Sequence, residues 1–209
     1  MIKRFIIFSY FLCYAVFNIS AQENYFQQEV NYKIDVTLND VTHELIAFEK
    51  IQYINNSKAP LDFIYFHLWA NAYKNNETAL AKQLLENGDT KMYFAKPNEL
   101  GYIDSLNFLV NGQPIKWEYD KKHIDICKLY LNSPIKPGDT IIITTPFHVK
   151  LPSAKISRLG HIGQAYAITQ WYPKPAVFDR EGWHPMPYLN QGEFYSEFGS
   201  YDVKISLPK

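Results

Sequence analysis

The sequence predicts a mainly β protein, a large antiparallel β-sheet or sandwich with one short helix. Aromatic residues make up 16% of the chain, with 16 Tyr, 14 Phe and 4 Trp, and aromatic side chains favour strands. Beyond Gln22, apolar and polar residues mostly alternate, which is the period of a strand with one buried face. Asn-Gly and Pro-Gly pairs interrupt these runs as hairpin turns do. With 209 residues, the chain is long enough for one large domain but short for two.

Composition also narrows the classes of partner. The 21 basic and 21 acidic residues give a formal net charge of zero. A neutral chain lacks the broad attraction to phosphates on which nucleic-acid binding depends, so we expect no nucleic-acid partner. Apolar residues, at 47% of the chain, are sufficient for a continuous core.

The N-terminal residues have the pattern of a signal peptide. Two basic residues precede an apolar run from Phe5 to Phe17, which is shorter than the roughly 20 residues that span a bilayer. Ala21 offers a small residue for cleavage, so we expect residues 1–21 to be removed and 22–209 to form one domain. The protein is therefore predicted to be secreted or to lie in the periplasm or cell envelope, with no stable membrane insertion after cleavage. An uncleaved N-terminal anchor is the alternative.

The first two strands are predicted from apolar alternation on either side of a turn. Alternate residues from Tyr32 to Leu38 are apolar, and Asn39-Asp40 supplies the turn. The returning segment, Glu44 to Ile54, changes its apolar phase halfway along, which predicts a bulge near Glu49 and Lys50.

A central strand and the single helix are predicted next. Leu61 to Trp69 is almost continuously apolar, as is typical of a strand covered on both faces. The helix is predicted over Thr78 to Glu86, with leucines along one face. We expect Asn75 or Asn76 to cap its start and Gly88 to end it.

Four further strands are predicted as a meander in one large antiparallel sheet. Asn111-Gly112 is the strongest hairpin signal, with alternating apolar residues before and after it. Ile124 to Leu131 and Thr140 to Val149 are joined by a turn that contains Pro137-Gly138. After signal cleavage Cys127 is the only thiol, so no internal disulfide can form and we expect a buried structural thiol.

The last third of the chain has a different pattern. Ala165 to Tyr172 is strand-like, and Pro173 to Glu193 has the composition of an ordered aromatic loop, a kind of segment that often carries function. Tyr201 to Leu207 begins a new half-buried strand with no partner after it, so we expect the domain to be truncated at its C-terminal end.

Motifs for catalysis and metal binding are missing from the sequence. The six histidines stand in no H-x-H or H-E-x-x-H arrangement, so we expect this chain to hold no metal or other cofactor. It also has no G-x-S-x-G elbow for a nucleophilic serine. An acidic group lies in and beside the aromatic loop: Asp179, Glu181, Glu193 and Glu197. Two of these carboxyls could act as a glycosidase pair, or the group could be a solvated face.

Four segments resemble the N-terminal domain of the aminopeptidase N-like (gluzincin) zinc metallopeptidases, especially secreted forms from Bacteroidetes-type bacteria. The segments are Asn31 to Leu38, the hairpin that follows as far as Phe48, Phe66 to Trp69, and Tyr166 to Pro173. The similarity extends over about Glu29 to Lys209. It implies a large saddle-shaped antiparallel β domain that reaches the active-site cleft of a following thermolysin-like domain.

The resemblance also implies a set of substrate-binding residues. Gln170 would line the pocket for the first side chain of the substrate, supported by Thr169 and Trp171. Tyr172 stands where many members carry an acidic residue that holds the free amine of the peptide, and a phenol does not supply that charge. Peptide substrates would be bound together with a downstream catalytic domain, and zinc would belong to the full-length enzyme.

Three motifs of that family are absent: H-E-x-x-H, the glycine-rich exopeptidase motif and the distal zinc-binding glutamate. We therefore expect an inactive, non-catalytic N-terminal fragment of a secreted zinc-dependent aminopeptidase. The alternative is a free-standing secreted β-sandwich module that binds carbohydrate or peptide. Its ligand would stack on four aromatic residues, Trp171, Tyr172, Trp183 and Tyr188.

Overall fold

The computed structural model describes residues 25–209, so the predicted signal peptide and its cleavage site lie outside the described residues. The described part contains a short 3-10 helix, Trp69–Tyr73, and one α-helix, α1, over Ala79–Glu86. Its strands are, in chain order, β1 Glu29–Asn39, β2 Glu44–Ile54, β3 Leu61–His67, β4 Tyr102–Asp104, β5 Leu109–Val110, β6 Gln113–Pro114, β7 Lys116–Tyr119, β8 Ile126–Ile135, β9 Thr140–Lys150, β10 Gly160–Ile162, β11 Ala165–Ala167, β12 Lys174–Pro175, β13 Val177–Asp179, β14 Gly182–His184 and β15 Tyr201–Ser206. The predicted mainly β class with one α-helix is confirmed.

Two sheets form the body of the fold. The larger has seven strands in the order β15-β1-β2-β9-β5-β6, with β4 also paired to β9. The smaller has four strands in the order β12-β3-β8-β7. Neighbouring strands are antiparallel except for β15, which runs parallel to β1. One hydrophobic core contains buried side chains from both sheets, as in a β-sandwich.

β1 and β2 form the hairpin that the sequence predicts, but they form it without a bulge. Their register is continuous along the full length of both strands. At the turn, the Asn39 side chain accepts hydrogen bonds from the backbone N–H groups of Val41 and Thr42. This local bonding is the reason that asparagine favours such turns.

The buried face of β2 explains why the predicted bulge is wrong. The buried residues occupy every second position: Leu45, Ala47, Glu49, Ile51 and Tyr53. Ile46 and Phe48 point to the opposite face and are 62% and 48% exposed. The change of apolar phase near Glu49 and Lys50 therefore marks a carboxyl on the core face and apolar side chains on the outer face, with no extra residue.

The predicted meander is split between the two sheets. Asn111 and Gly112 have φ angles of 50° and 77°, as a two-residue hairpin turn requires, and they join β5 to β6. The chain then crosses to β7 and β8 in the smaller sheet and returns to β9 in the larger one. The prediction that these four strands share one sheet is therefore wrong. A turn sequence shows where the chain reverses, but it does not decide which sheet the next strand joins.

The smaller sheet contains the predicted central strand. β3 lies between β12 and β8, but its outer face is only partly covered, since Phe63 and Tyr65 are half-buried. The Lys128 Nζ lies over the Phe63 ring, 3.6 Å from its centroid. Cys127 on β8 is fully buried, and burial raises the pKa of its thiol. The expected structural thiol is confirmed.

α1 begins and ends with local hydrogen bonds. The Thr78 Oγ1 accepts a hydrogen bond from the Ala81 N–H at 3.2 Å, so Thr78 caps the helix in place of the predicted Asn75 or Asn76. Gly88, with a φ angle of 80°, follows the last turn as predicted. No helix within residues 25–209 is long and apolar enough to cross a lipid bilayer.

β15 has a partner that the sequence pattern did not indicate. It pairs in parallel with β1, with Tyr201 opposite Tyr32 and Ser206 opposite Thr37. The expectation of an unpaired strand is therefore wrong, because one edge of β15 pairs with β1, the first strand of the chain. The expectation of a half-buried strand is also wrong, since all six residues of β15 are exposed.

Candidate functional site

The segment that contains Gln170 is a loop and not the predicted strand. β11 ends at Ala167, and residues 168–173 lead from it to β12. Gln170 has a φ angle of 54°, in the left-handed region that non-glycine residues seldom adopt. Such a conformation persists only where surrounding contacts hold it.

Lys174 supplies one of those contacts. Its Nζ donates hydrogen bonds to Gln170 Oε1 at 2.6 Å and to Ser196 Oγ at 2.9 Å. It also lies over the Trp69 ring, 4.0 Å from the centroid. Lys174 is only 5% exposed, and burial lowers the pKa of its amine to about 7. The Gln170 amide is therefore oriented by a buried amine that no pattern in the sequence indicated.

The side chains of the other three predicted substrate-binding residues each contact a different part of the molecule. The Thr169 Oγ1 donates a hydrogen bond to the Arg158 carbonyl at 3.2 Å. The Trp171 ring packs against Phe147, with 5.8 Å between centroids. The Tyr172 hydroxyl donates to the Tyr201 hydroxyl at 3.1 Å, and burial raises the pKa of Tyr172. The substrate-binding role of these residues and of Gln170 stays a prediction.

Three of the segments that carry the resemblance meet beside this loop. β12 pairs with β3, which places Lys174 opposite His67 and beneath Trp69. On the other side, the Tyr172 ring lies 5.5 Å from that of Tyr32 on β1. Segments far apart in the sequence, from both sheets, therefore come together around residues 168–174.

His67 is a structural member of this cluster. Its ring stacks on Trp69, 4.4 Å between centroids, and its Nε2 accepts a hydrogen bond from the Met186 N–H at 3.1 Å. Burial and the nearby Lys174 charge lower the pKa of His67 to about 3, so the ring is neutral. Among residues 25–209, no three histidine, cysteine, aspartate or glutamate side chains come together in a way that could hold a metal ion.

A separate cavity of about 710 Å³ lies between residues 25–27, 177–181 and 194–198. Six aromatic residues line it: Tyr25, Phe26, Phe178, Phe194, Tyr195 and Phe198. Three of the four acidic residues singled out in the sequence also line it: Asp179, Glu181 and Glu197. The fourth, Glu193, does not line the cavity, and neither do the four residues of the predicted substrate site.

The two carboxyls of this cavity that are most enclosed have opposite pKa shifts. Asp179 Oδ1 lies 2.8 Å from His184 Nε2, and its Oδ2 accepts a hydrogen bond from the Tyr195 hydroxyl at 3.1 Å. Burial alone would raise the pKa of Asp179, but these contacts and a backbone N–H outweigh it and lower the pKa. Glu197 is 7% exposed, and burial raises its pKa to about 7. Asp179 is therefore ionised at neutral pH, and Glu197 is partly protonated.

The aromatic residues proposed to bind carbohydrate or peptide do not share a surface. Tyr188 is fully buried, and its hydroxyl accepts a hydrogen bond from the Tyr73 hydroxyl at 3.1 Å. Trp183 packs against Phe178, 5.0 Å between centroids, whereas Trp171 packs against Phe147 and Tyr172 against Tyr32. Tyr188 lies in the core, and the other three rings are partly buried against it. This arrangement does not favour the binding-module alternative.

The comparisons with known proteins give structural neighbours only. No protein-family model matches the chain, and no curated protein matches its sequence. The structural neighbours include an M1 zinc metallopeptidase from Deinococcus radiodurans, with 14% identity and a TM-score of 0.46 over 88% of this chain and 33% of the other. They also include leukotriene A4 hydrolase from Saccharomyces cerevisiae, with 9% identity and a TM-score of 0.35 over 66% of this chain and 18% of the other. The chain spans about a third of the Deinococcus structure, and with TM-scores below 0.5 the comparison does not assign a family.

Proposed function

We propose that this chain is the N-terminal, non-catalytic domain of a secreted zinc-dependent aminopeptidase and that it contributes to the substrate cleft. The supporting observation is that three segments resembling that family in sequence come together around the Gln170 loop. Lys174 links two of them directly, since its Nζ contacts both Gln170 and Trp69. Segments that contribute to one substrate-binding surface must lie close together, and these segments do.

Zinc has no place among the described residues in this proposal. His43 and His161 stack on each other, but no third metal-ligating side chain among the described residues joins them. The most enclosed histidine, His67, is engaged by the Met186 N–H and by the Trp69 ring. The proposal assigns zinc and the cleavage step to a catalytic domain of a longer parent protein. The contribution of this chain would be to position the N-terminal residue of a peptide through the Gln170 amide, which can both donate and accept hydrogen bonds.

Two variants at Gln170 in the parent protein test this role. Gln170→Ala removes the acceptor from Lys174 and is expected to cost about 1 to 3 kcal/mol of stability. Gln170→Glu keeps an acceptor at 2.6 Å from the buried amine, so the melting temperature should be retained. If Gln170 contacts substrate, both variants should change the relative kcat/KM values across aminoacyl anilides with different side chains. Gln164→Ala, on the exposed hairpin turn between β10 and β11, is the matched control.

Unchanged relative rates in both variants, with a lower melting temperature only in Gln170→Ala, would show that Gln170 merely holds Lys174. The chain alone should release no amino acid from a peptide and take up no stoichiometric zinc. Hydrolysis that a chelator abolishes would overturn the non-catalytic assignment.

A further inference from the structure

We propose that the aromatic cavity binds a small organic cation, an ammonium group carried on a short apolar body. This cavity is the one formed by residues 25–27, 177–181 and 194–198. The inference is independent of the aminopeptidase proposal, because none of the residues assigned to the peptide substrate lines this cavity.

The walls of the cavity favour positive charge. Rings come from all three segments: Phe26 and Phe178 are 6.1 Å apart between centroids, and Tyr195 belongs to the third segment. Aromatic faces carry partial negative charge and attract ammonium groups that lie within about 6 Å. Phe198 and Tyr25 are 78% and 80% exposed, so large ring surfaces are available to a ligand.

The polar groups of the cavity point to a cation rather than a sugar. The hydroxyl of Tyr195 donates to Asp179, and that of Tyr25 donates to the Gln27 side chain. The Gln27 side chain in turn hydrogen-bonds to Glu197. The two tyrosine hydroxyls are thus engaged as donors, whereas the carboxylate oxygens can accept further hydrogen bonds. A sugar needs both donors and acceptors, whereas an ammonium group is attracted by negative charge and aromatic faces whether or not it carries N–H groups.

The charge balance agrees with this selection. Asp179 and Glu197 bring two carboxyls to the cavity, and Glu181 adds a third. Arg180 is the basic residue of the lining, but its side chain is 76% exposed and lies 3.7 Å from Glu181. Asp179 therefore supplies a negative charge at neutral pH, which His184 Nε2 contacts at 2.8 Å, and Glu197 adds a carboxyl that is partly protonated. The three acidic residues still outnumber the one arginine of the lining.

The volume of the cavity limits the size of the ligand, and the solvent exposure of its rings limits the affinity. A volume of about 710 Å³ lies in the range of small-molecule sites, roughly 300 to 1,000 Å³. Several lining rings are open to solvent, so each ring contributes only as an exposed cation–π contact does. We expect a dissociation constant of about 1 mM for a simple quaternary ammonium.

Choline and its neutral isostere 3,3-dimethylbutan-1-ol provide the decisive pair of probes, because they share a shape and differ in charge. In a ¹H–¹⁵N NMR titration of the chain, choline should shift the resonances of residues 25–27, 177–181 and 194–198 saturably. The neutral alcohol should leave them unchanged, and so should glucose or cellobiose. Phosphatidylcholine vesicles test whether the same group is recognised on a lipid, since only then should vesicles compete with free choline.

Matched variants test the cavity residue by residue. Phe198→Ala should weaken choline binding about threefold, whereas Phe94→Ala, a similarly exposed ring outside the cavity, should have no effect. Glu197→Gln should weaken it about fivefold, whereas Glu193→Gln, outside the lining, should not. Thermal melts of all four variants establish that each is folded.

Three outcomes would overturn the inference. Equal binding of choline and the neutral alcohol would show an apolar site without charge selection. Saturable binding of a saccharide in place of choline would identify a carbohydrate site. No saturable shift with any probe in the folded wild-type chain would show that the cavity is only a gap between loops.

Discussion

β1 and β15 lie side by side in the seven-stranded sheet and carry the same alternation of apolar residues, but they differ in burial. Ile34 on β1 is 1% exposed, and its cross-strand neighbour Val203 on β15 is 39% exposed. Val36 and Ile205 form the next such pair, at 5% and 61%. Both strands direct these side chains to the same face, since the strands are in register.

The difference between the strands is one of cover and not of sequence pattern. Alternation with a period of two places apolar side chains on one face of a strand. Whether that face is buried depends on the layer packed over it. Over β1 that layer buries alternate side chains, whereas on β15 the described residues leave all six side chains exposed. The cover of a face should therefore decide what a substitution on that face does to stability.

The largest effect is expected from truncating the same side chain on each strand. Ile34→Ala removes three buried carbon atoms from the core and should cost about 2 to 5 kcal/mol of unfolding free energy. Ile205→Ala acts on an exposed side chain and should change it by no more than about 0.5 kcal/mol. Chemical denaturation of the two variants measures both values. Equal costs would mean that β15 is covered in solution.

An intermediate effect is expected at Glu49, the one carboxyl on the buried face of β2. Both of its oxygens are buried without a hydrogen-bond partner, and burial raises its pKa well above the ordinary value of 4.5. Glu49→Met replaces the unsatisfied carboxyl with an apolar chain of similar length. We expect a gain of about 1 to 3 kcal/mol at pH 8.

The sign of the pH dependence follows from the raised pKa. Below pH 4 the carboxyl is protonated in both folded and unfolded states, so ionisation does not affect stability. As the pH rises above 4.5, the unfolded chain loses the proton that the folded chain keeps, and the wild-type protein loses stability. The advantage of Glu49→Met should therefore grow between pH 4 and pH 8. A constant difference in denaturation free energy across that range would contradict the raised pKa.

The smallest effect on stability is expected from substitutions on β15, but these should have a measurable effect on self-association. The exposed residues of β15 and its free edge should make the chain self-associate. Val203→Lys combined with Ile205→Lys should shift sedimentation toward the monomer with little change in stability. Phe94→Lys, at an exposed ring away from β15, is the control. A wild-type monomer at all concentrations would exclude an adhesive edge.

Much of the local structure could be predicted because it depends on neighbouring residues. Asn111-Gly112 forms the expected turn since both residues tolerate positive φ angles. Gly88 ends α1 for the same reason. The helix cap was missed because Thr78, Asn75 and Asn76 all have capping side chains, and only the path of the chain shows which one precedes the first turn.

The sites were predictable only in part. The acidic group was visible in the sequence, and three of its four members line the cavity. Lys174 was missed, because a lysine between two prolines gives no sign that its amine will be buried beneath Trp69. That burial requires β12 to pair with β3, a contact between residues about a hundred positions apart in the chain.

The sequence by itself determined which side chains share a face and where the chain turns. These properties follow from the two-residue period of strands and from the backbone preferences of Asn, Gly and Thr. The tertiary structure alone decided that Glu49 is buried while Phe48 is exposed, that β8 and β9 join different sheets, and that β15 pairs with β1. The physical reason is that each strand offers two faces and two edges, and which of them are covered depends on segments that are distant in the sequence.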